Sequence, residues 1–199
     1  MRIPLFKQED FFIAAFCFEA SLILLALLLG WAADIAPFSA LHLTAPALLY
    51  GVVGSIPLFL MFLGLERLQN NAVVDIRNLL MTALGVHLHR YEWPHWLALA
   101  AIAGLSEEVL FRGMLQPWLE TVGGAMVGLV VSNLIFGLVH AVTPLYALLA
   151  TLVGLYLGWS MDFGGERNLL TPVLIHALYD FLAFVALMRA YRANLASNQ

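Results

Sequence analysis

The chain has 199 residues, of which 62% are hydrophobic and only 11% are charged, and its formal net charge is −4. Its mean hydropathy is +0.89. Soluble domains carry about 25% charged residues, so this chain has too few polar groups to cover a surface in water, and we expect the lipid bilayer to surround it. The small net charge and the lack of a basic patch exclude nucleic acid as an expected partner. The single cysteine, Cys17, excludes an internal disulfide and a thiolate metal site, and we interpret it as a small packed hydrophobe.

Runs of about 20 mostly apolar residues are candidate membrane spans. Six occur, near 11–33, 45–65, 94–119, 124–142, 145–162 and 168–189. The first run is longer than the core of a signal peptide, contains Glu19 and lacks a small-residue cleavage site, so we predict a retained span. Two Gly-x-x-x-Gly patterns, at 124–128 and 154–158, indicate close helix packing and do not define an oligomeric state.

The segment 67–92 differs from the spans because charged residues interrupt apolar ones at helical spacing, which predicts an amphipathic helix on the membrane surface. The predicted fold is an all-α, polytopic transmembrane helical bundle of about six spans plus this surface helix. We predict one membrane domain over 1–199, with two N-terminal spans in 1–66, the amphipathic connector at 67–92 and a four-span catalytic core at 93–190.

The basic residues predict the orientation. If both termini are cytoplasmic, seven lie on the cytoplasmic side, namely Arg2, Lys7, Arg67, Arg77, Arg90, Arg189 and Arg192. Arg167 alone lies on the other side, and Arg112 lies within a span. The positive-inside rule therefore predicts two cytoplasmic termini, and the compact chain without a targeting extension favours a bacterial inner (cell) membrane.

Charged side chains within the spans are the main functional signal, because each costs at least ~2.5–3.5 kcal/mol at the bilayer centre and normally faces a bundle interior or a wet cavity. Glu108 and Arg112 are four residues apart on one helical face and can pair. Glu107 points about 100° away and is left without that partner. The paired carboxylate is then structural, and the unpaired one can take up a proton.

Two histidines lie in later spans. His140 ends the fourth span, with Asn133 on nearly the same stripe, and His176 shares a helical face with Asp180 in the sixth. Each feature alone also fits an interfacial histidine or a helix-packing hydrogen bond, but their occurrence in adjacent spans indicates a functional site. Glu19 either bonds to a neighbouring helix or lines the cavity.

The depths of these residues agree only in part. With a rise of ~1.5 Å per residue, Glu107 lies ~20 Å and His176 ~18 Å from the inner end of a core that is ~30 Å thick. His140 lies only ~6 Å from that end if its span crosses fully. A tilted helix, a shifted boundary near Pro144 or a wrong assignment of His140 would each account for the difference.

Three motifs follow one another in separate spans: Glu-Glu-x-x-x-Arg at 107–112, Phe-x-x-x-His at 136–140 and His-x-x-x-Asp at 176–180. In this order they resemble the CPBP family, which comprises the CAAX prenyl endopeptidases and the bacteriocin-processing or immunity-type (Abi) membrane proteases. Each motif is weak alone, but the ordered set is specific, and the resemblance covers about half of the chain, from the third span to the sixth.

The resemblance implies an intramembrane endopeptidase that hydrolyses a peptide bond of a membrane-anchored or hydrophobic peptide. Glu107 would activate water with help from His140, and Glu108 and Arg112 would hold the site. His176 and Asp180 would stabilise the oxyanion. Asp180 stands where the prenyl endopeptidases carry asparagine, and because an ionised aspartate is a poor oxyanion donor, it would have to be protonated or would orient His176.

Hydrolysis needs a base for water and donors aimed at the oxyanion, so the residues themselves support this assignment, and no cofactor is expected. Zinc is the alternative, because His140, His176 and a carboxylate would leave an open fourth position, although no His-Glu-x-x-His motif occurs. Two non-proteolytic functions stay open: a proton-coupled transporter, and a membrane scaffold or immunity protein of the same fold.

Overall fold

The structure, a computed structural model, describes the backbone of residues 8–197 and the side chains of residues 11–197. Arg2 and Lys7, two of the basic residues used to predict the orientation, lie outside the described residues. Within this range 82% of the residues are helical and none forms a β-strand, which confirms the all-α helical bundle.

The helices follow one another in chain order as α1 (Gln8–Ala33), α2 (Ala45–Glu66), α3 (Asn71–Leu80), α4 (Val86–Leu88), α5 (Trp93–Glu108), α6 (Gln116–Gly123), α7 (Ala125–Val139), α8 (Pro144–Ser160) and α9 (Leu170–Ser197). A π-helical turn over Met81–Gly85 joins α3 to α4, and a second over Val109–Leu115 joins α5 to α6. The second turn makes one uninterrupted helical segment of α5 and α6, and it lies directly after the glutamate pair.

Three segments are long and apolar enough to cross a membrane: Phe11–Ala33, Ala45–Glu66 and Leu170–Ser197. By contrast, α7 and α8 have only 15 and 17 residues. At ~1.5 Å per residue, α7 is about 22 Å long and falls short of a ~30 Å hydrocarbon core. The protein is therefore a polytopic membrane protein, while the number of six spans stays a prediction.

The outer face of α1 is directed away from the bundle. Ile13, Phe18 and Leu28 on this face are 62%, 64% and 65% exposed, as suits contact with lipid, whereas Ala26 is fully buried. Cys17 is exposed as well, so the prediction of a packed cysteine is wrong. An apolar run does not distinguish the two faces of a span, because lipid and protein core are both apolar.

The segment between α2 and α5 is helical from Asn71, and the side chain of Asn70 caps α3 by accepting a hydrogen bond from the Ala72 amide at 2.9 Å. The helix is amphipathic, as the pattern predicts, and its apolar residues Val73 and Ile76 are buried. This face of α3 thus packs against the bundle and helps to enclose its interior.

Small residues set the close approach of the helices that carry the motifs. A Cβ atom added at Gly104 of α5 would lie 2.7 Å from the Ala177 amide nitrogen of α9, and one at Gly154 of α8 would lie 2.7 Å from the Asn133 side-chain oxygen. Only glycine permits such contacts. The first contact brings the glutamate pair of α5 beside His176, the residue before Ala177.

Candidate active site

Arg112 connects three helical segments from the buried centre of the bundle. It donates from Nη1 to Glu108 Oε1 at 2.9 Å, and from Nη2 to Asn133 Oδ1 at 2.7 Å and to the Gly154 carbonyl at 2.9 Å. Its charge also lies 4.6 Å from the centroid of the Phe136 ring, within cation–π range. Glu108, Arg112 and Asn133 are fully buried, so this ion pair is closed to solvent and to substrate.

His176 lies between two carboxylates. Its Nδ1 is 2.8 Å from Glu108 Oε1, and its Nε2 is 3.5 Å from Asp180 Oδ2. Because ionised carboxylates only accept hydrogen bonds, a ring that carries a proton on each nitrogen satisfies both neighbours. The spacing of four residues within one helix predicts the contact between His176 and Asp180. The contact with Glu108 arises from the packing of α5 against α9, and no sequence pattern indicates it.

Glu107 points away from the Glu108–Arg112 pair and towards His140. The Glu107 Oε2 and His140 Nε2 atoms are 3.5 Å apart, and this oxygen makes no hydrogen bond with any described residue. His140 Nδ1 is 2.8 Å from the Phe136 carbonyl oxygen. Since a carbonyl can only accept, Nδ1 carries a proton and the Nε2 lone pair of a neutral ring faces the carboxylate. Two acceptors so placed need a proton or a water molecule between them.

The short α7 explains the position of His140. The helix ends at Val139, and the chain turns at once into α8, where Thr143 Oγ1 accepts a hydrogen bond from the Tyr146 amide at 3.1 Å and Pro144 occupies the first turn. His140 therefore lies where α7 stops within the bundle. The ~6 Å depth assumed that α7 crosses the whole hydrocarbon core, and a helix of 15 residues is too short for that.

A cavity of about 1250 Å³, including its open mouth, reaches the polar side chains from one side of the bundle. Glu107, His140, His176 and Asp180 all line it, whereas Glu108 and Arg112 do not. The other walls are mainly apolar and come from α2, α3, α8 and α9, with Leu58, Met61, Phe62, Leu80, Leu149, Val153 and Phe184 among them. A hydrophobic peptide segment fits such a lining chemically.

Comparison with known proteins gives one finding of similarity. Residues 89–182 match a family model described as type II CAAX prenyl endopeptidase Rce1-like. This segment, just under half of the chain, is similar to the Rce1-like family. All three motifs fall within the match, which confirms the resemblance to the CPBP family of proteases. No curated protein and no solved structure gives a significant match.

Glu19 of α1 reaches the Rce1-like segment without lining the cavity. Its Oε2 atom lies 3.3 Å from Ser106 Oγ, which is fully buried and immediately precedes Glu107. The sequence left two roles open for Glu19, a bond to a neighbouring helix or a place in the cavity wall, and the structure shows the bond. Ser106 Oγ also lies 3.3 Å from the Ala103 carbonyl oxygen.

The zinc alternative names His140, His176 and a carboxylate as ligands. No group of three His, Cys, Asp or Glu side chains among the described residues is arranged to hold a metal ion. Both ring nitrogens of His176 face carboxylates, and Nδ1 of His140 faces a backbone carbonyl. Nε2 of His140 is directed towards Glu107.

Two cavity residues were missed by the sequence analysis. Tyr146 of α8 and Tyr179 of α9 line the same cavity as the motif residues. Neither belongs to a motif, and a tyrosine in an apolar span is ordinary at a membrane interface. Their position depends on the turn between α7 and α8 and on the packing of α9, which the sequence pattern does not specify.

Proposed function

We propose that the protein is an intramembrane endopeptidase that hydrolyses a peptide bond of a membrane-associated protein or peptide, with Glu107 as the general base. The observation that carries the proposal is the exposure of Glu107 to an apolar cavity, where one carboxylate oxygen has no hydrogen bond to the described residues and lies 3.5 Å from His140 Nε2. The match of residues 89–182 to the Rce1-like family, a family of proteases, supports the reaction class.

In the proposed reaction, a water molecule between Glu107 and His140 loses a proton to the Glu107 carboxylate. Its oxygen forms a bond to the scissile carbonyl carbon, and the carbonyl π electrons move to the oxygen as an oxyanion. The tetrahedral intermediate collapses, the carbon–nitrogen bond breaks, and the proton held by Glu107 passes to the leaving nitrogen. Glu107 thus ends the cycle as a carboxylate, and no cofactor is required.

His176 is the proposed donor to the oxyanion, through its Nε2–H. The 3.5 Å separation from Asp180 Oδ2 is long for a hydrogen bond, so this proton stays available to a substrate in the cavity. The bond between Nδ1 and Glu108 at 2.8 Å fixes the ring. Asp180 then acts as an orienting group for His176, which is one of the two roles left open for an aspartate at this position.

The proposed substrate reaches the site through the apolar cavity, so it is a hydrophobic or lipid-anchored segment in the bilayer. We also propose that the protein resides in the cell (inner) membrane with both termini in the cytoplasm. The distribution of basic residues supports this orientation.

The test uses purified protein in proteoliposomes and two internally quenched probe peptides, one with a farnesylated cysteine three residues from its C-terminus and one with an unmodified apolar segment. In parallel, membrane proteomes of cells that carry wild-type protein or Glu107→Gln are compared for an uncleaved precursor. We expect cleavage of a probe or accumulation of a precursor, and loss of cleavage in Glu107→Gln. Glu166→Gln, in an exposed loop, is the matched control and retains the wild-type rate.

Equal cleavage by wild-type protein and folded Glu107→Gln would refute Glu107 as the base. Complete inhibition by a chelator, with recovery on addition of zinc, would refute the cofactor-free mechanism while leaving peptide hydrolysis intact. Rescue of a cellular phenotype by Glu107→Gln would favour the scaffold or immunity function, and a proton flux that depends on Glu107 would favour the transporter.

A further inference from the structure

The oxyanion that forms during hydrolysis needs hydrogen-bond donors, and position 180 does not supply one. An ionised aspartate only accepts hydrogen bonds, and Asp180 already lies 3.5 Å from His176 Nε2. Of the motif residues that line the cavity, His176 is then the one with a free donor, because Nδ1 of His140 is bonded to a backbone carbonyl. A second donor has to come from a residue outside the three motifs.

Tyr146 is placed to be that donor. It lies in the first turn of α8, where the bond between its amide and Thr143 Oγ1 at 3.1 Å fixes the start of the helix. Its half-buried side chain lines the cavity together with Glu107, His140, His176 and Asp180. Its hydroxyl makes no hydrogen bond with the described residues, although it interacts electrostatically with both Asp180 and Glu107. Tyr146 thus lines the cavity of the reacting groups, and its O–H group has no hydrogen-bond partner among the described residues.

Tyr179 lines the same cavity but is directed differently. Its ring packs edge-on against Phe62 of α2, with the ring centroids 6.5 Å apart. Its electrostatic neighbours are Asp180 and Tyr146, and Glu107 is not among them. A donor to the oxyanion has to lie near the base, since the attacking oxygen and the oxyanion share one carbon atom. Of the two tyrosines, Tyr146 is the one that interacts electrostatically with Glu107, so it is the better-placed donor.

We propose that Tyr146 is a catalytic residue, which donates its phenolic O–H to the oxyanion beside the Nε2–H of His176 and supplies the donor that Asp180 cannot. The inference rests on the proposed peptidase function. When the carbonyl π bond opens, the new charge accepts both hydrogen bonds, and when the carbon–nitrogen bond breaks, the carbonyl reforms and both donors keep their protons. A phenol is neutral at pH 7 and suits this role.

The experiment compares Tyr146→Phe, which removes a single oxygen atom, with Tyr179→Phe as the matched control in the same cavity. Steady-state cleavage of whichever probe peptide the wild-type protein cleaves is measured in proteoliposomes, with rates per folded protein. Loss of one oxyanion donor costs about 10²–10³ in kcat. We expect Tyr146→Phe to lower kcat by that factor with KM within about twofold of the wild-type value. Tyr179→Phe, which alters a wall of the same cavity, lowers kcat by less than about tenfold, and Tyr50→Phe, at a position outside the cavity, leaves both constants unchanged.

A second arm restores a donor at position 180. Asparagine carries an amide N–H, so Asp180→Asn in the Tyr146→Phe background recovers at least about tenfold of the lost rate. The inference alone is overturned if Glu107→Gln is inactive while Tyr146→Phe keeps a kcat within about twofold of wild type, or if Asp180→Asn brings no recovery. The proposed function, and this inference with it, is overturned if wild-type protein cleaves no probe and no precursor accumulates in Glu107→Gln cells.

Discussion

Replacement of Arg112 by leucine tests the claim that the Glu108–Arg112 pair is structural. In the structure Arg112 is completely buried and makes three hydrogen bonds, to Glu108, Asn133 and the Gly154 carbonyl. The substitution leaves a buried carboxylate whose remaining neighbour is His176. Removing one partner of a buried ion pair costs about 3–5 kcal/mol, and because His176 partly compensates the charge, we expect about 3 kcal/mol.

The measurement is equilibrium unfolding of the purified protein in mixed micelles, followed by circular dichroism. A loss of 3 kcal/mol corresponds to a change of roughly 100-fold in the unfolding equilibrium. Arg167→Leu is the control, since Arg167 also pairs with carboxylates, at 2.6 Å from Glu120, but its side chain is 33% exposed. Such a pair is worth about 0–1 kcal/mol.

The double variant Arg112→Leu/Glu108→Gln separates the cost of the unpaired buried charge from the cost of lost packing. If the unpaired charge dominates, neutralising Glu108 raises the free energy of unfolding by about 1–2 kcal/mol relative to Arg112→Leu. A cost of Arg112→Leu no larger than that of Arg167→Leu would refute the reasoning. So would a double variant that is less stable than Arg112→Leu.

Two further predictions concern the packing around the site. Glu19→Leu removes the acceptor 3.3 Å from Ser106 Oγ and should lower the unfolding free energy by about 0.6–1.7 kcal/mol. Glu19→Gln keeps an acceptor, so its loss should be smaller. Equal losses of the two variants in micelle unfolding would contradict the hydrogen bond. Gly137→Val should destabilise the protein by more than about 2 kcal/mol, since a Cβ atom at position 137 would overlap Thr151 Oγ1 of α8. Gly64→Ala, with nothing within 4 Å, is the control, and equal melting temperatures of the two variants would refute the close approach.

The pairings within a single helix could be predicted from the sequence, and those between helices could not. Helical periodicity is a local property, so the spacing of four residues correctly placed Glu108 beside Arg112 and His176 beside Asp180. The contact between Glu108 and His176 joins residues 68 positions apart. It depends on the crossing of α5 and α9 at Gly104, which composition and periodicity do not specify.

The position of His140 shows a second limit. Hydropathy assigns an apolar run to a span, and the span was taken to cross the whole bilayer. The chain instead ends α7 at Val139 and begins α8 five residues later at Pro144. Thr143 and Pro144 are typical of a helix start, so the turn itself could be predicted from the sequence. The depth of the turn in the membrane could not be predicted, because it depends on how the neighbouring helices pack.

The π-helical turn gives a physical reason why two adjacent glutamates have different environments. It begins at Val109, directly after Glu108, and a Cβ atom added at Gly113 within it would overlap the Pro37 carbonyl oxygen of the α1–α2 connection. This contact holds the widened turn against the core, and such turns are frequent at functional sites. Glu108 is thereby enclosed with Arg112, while Glu107 keeps 8% of its surface and faces the cavity. Access to the cavity therefore separates the two carboxylates, and it supports the proposal that Glu107 is the one that acts on water.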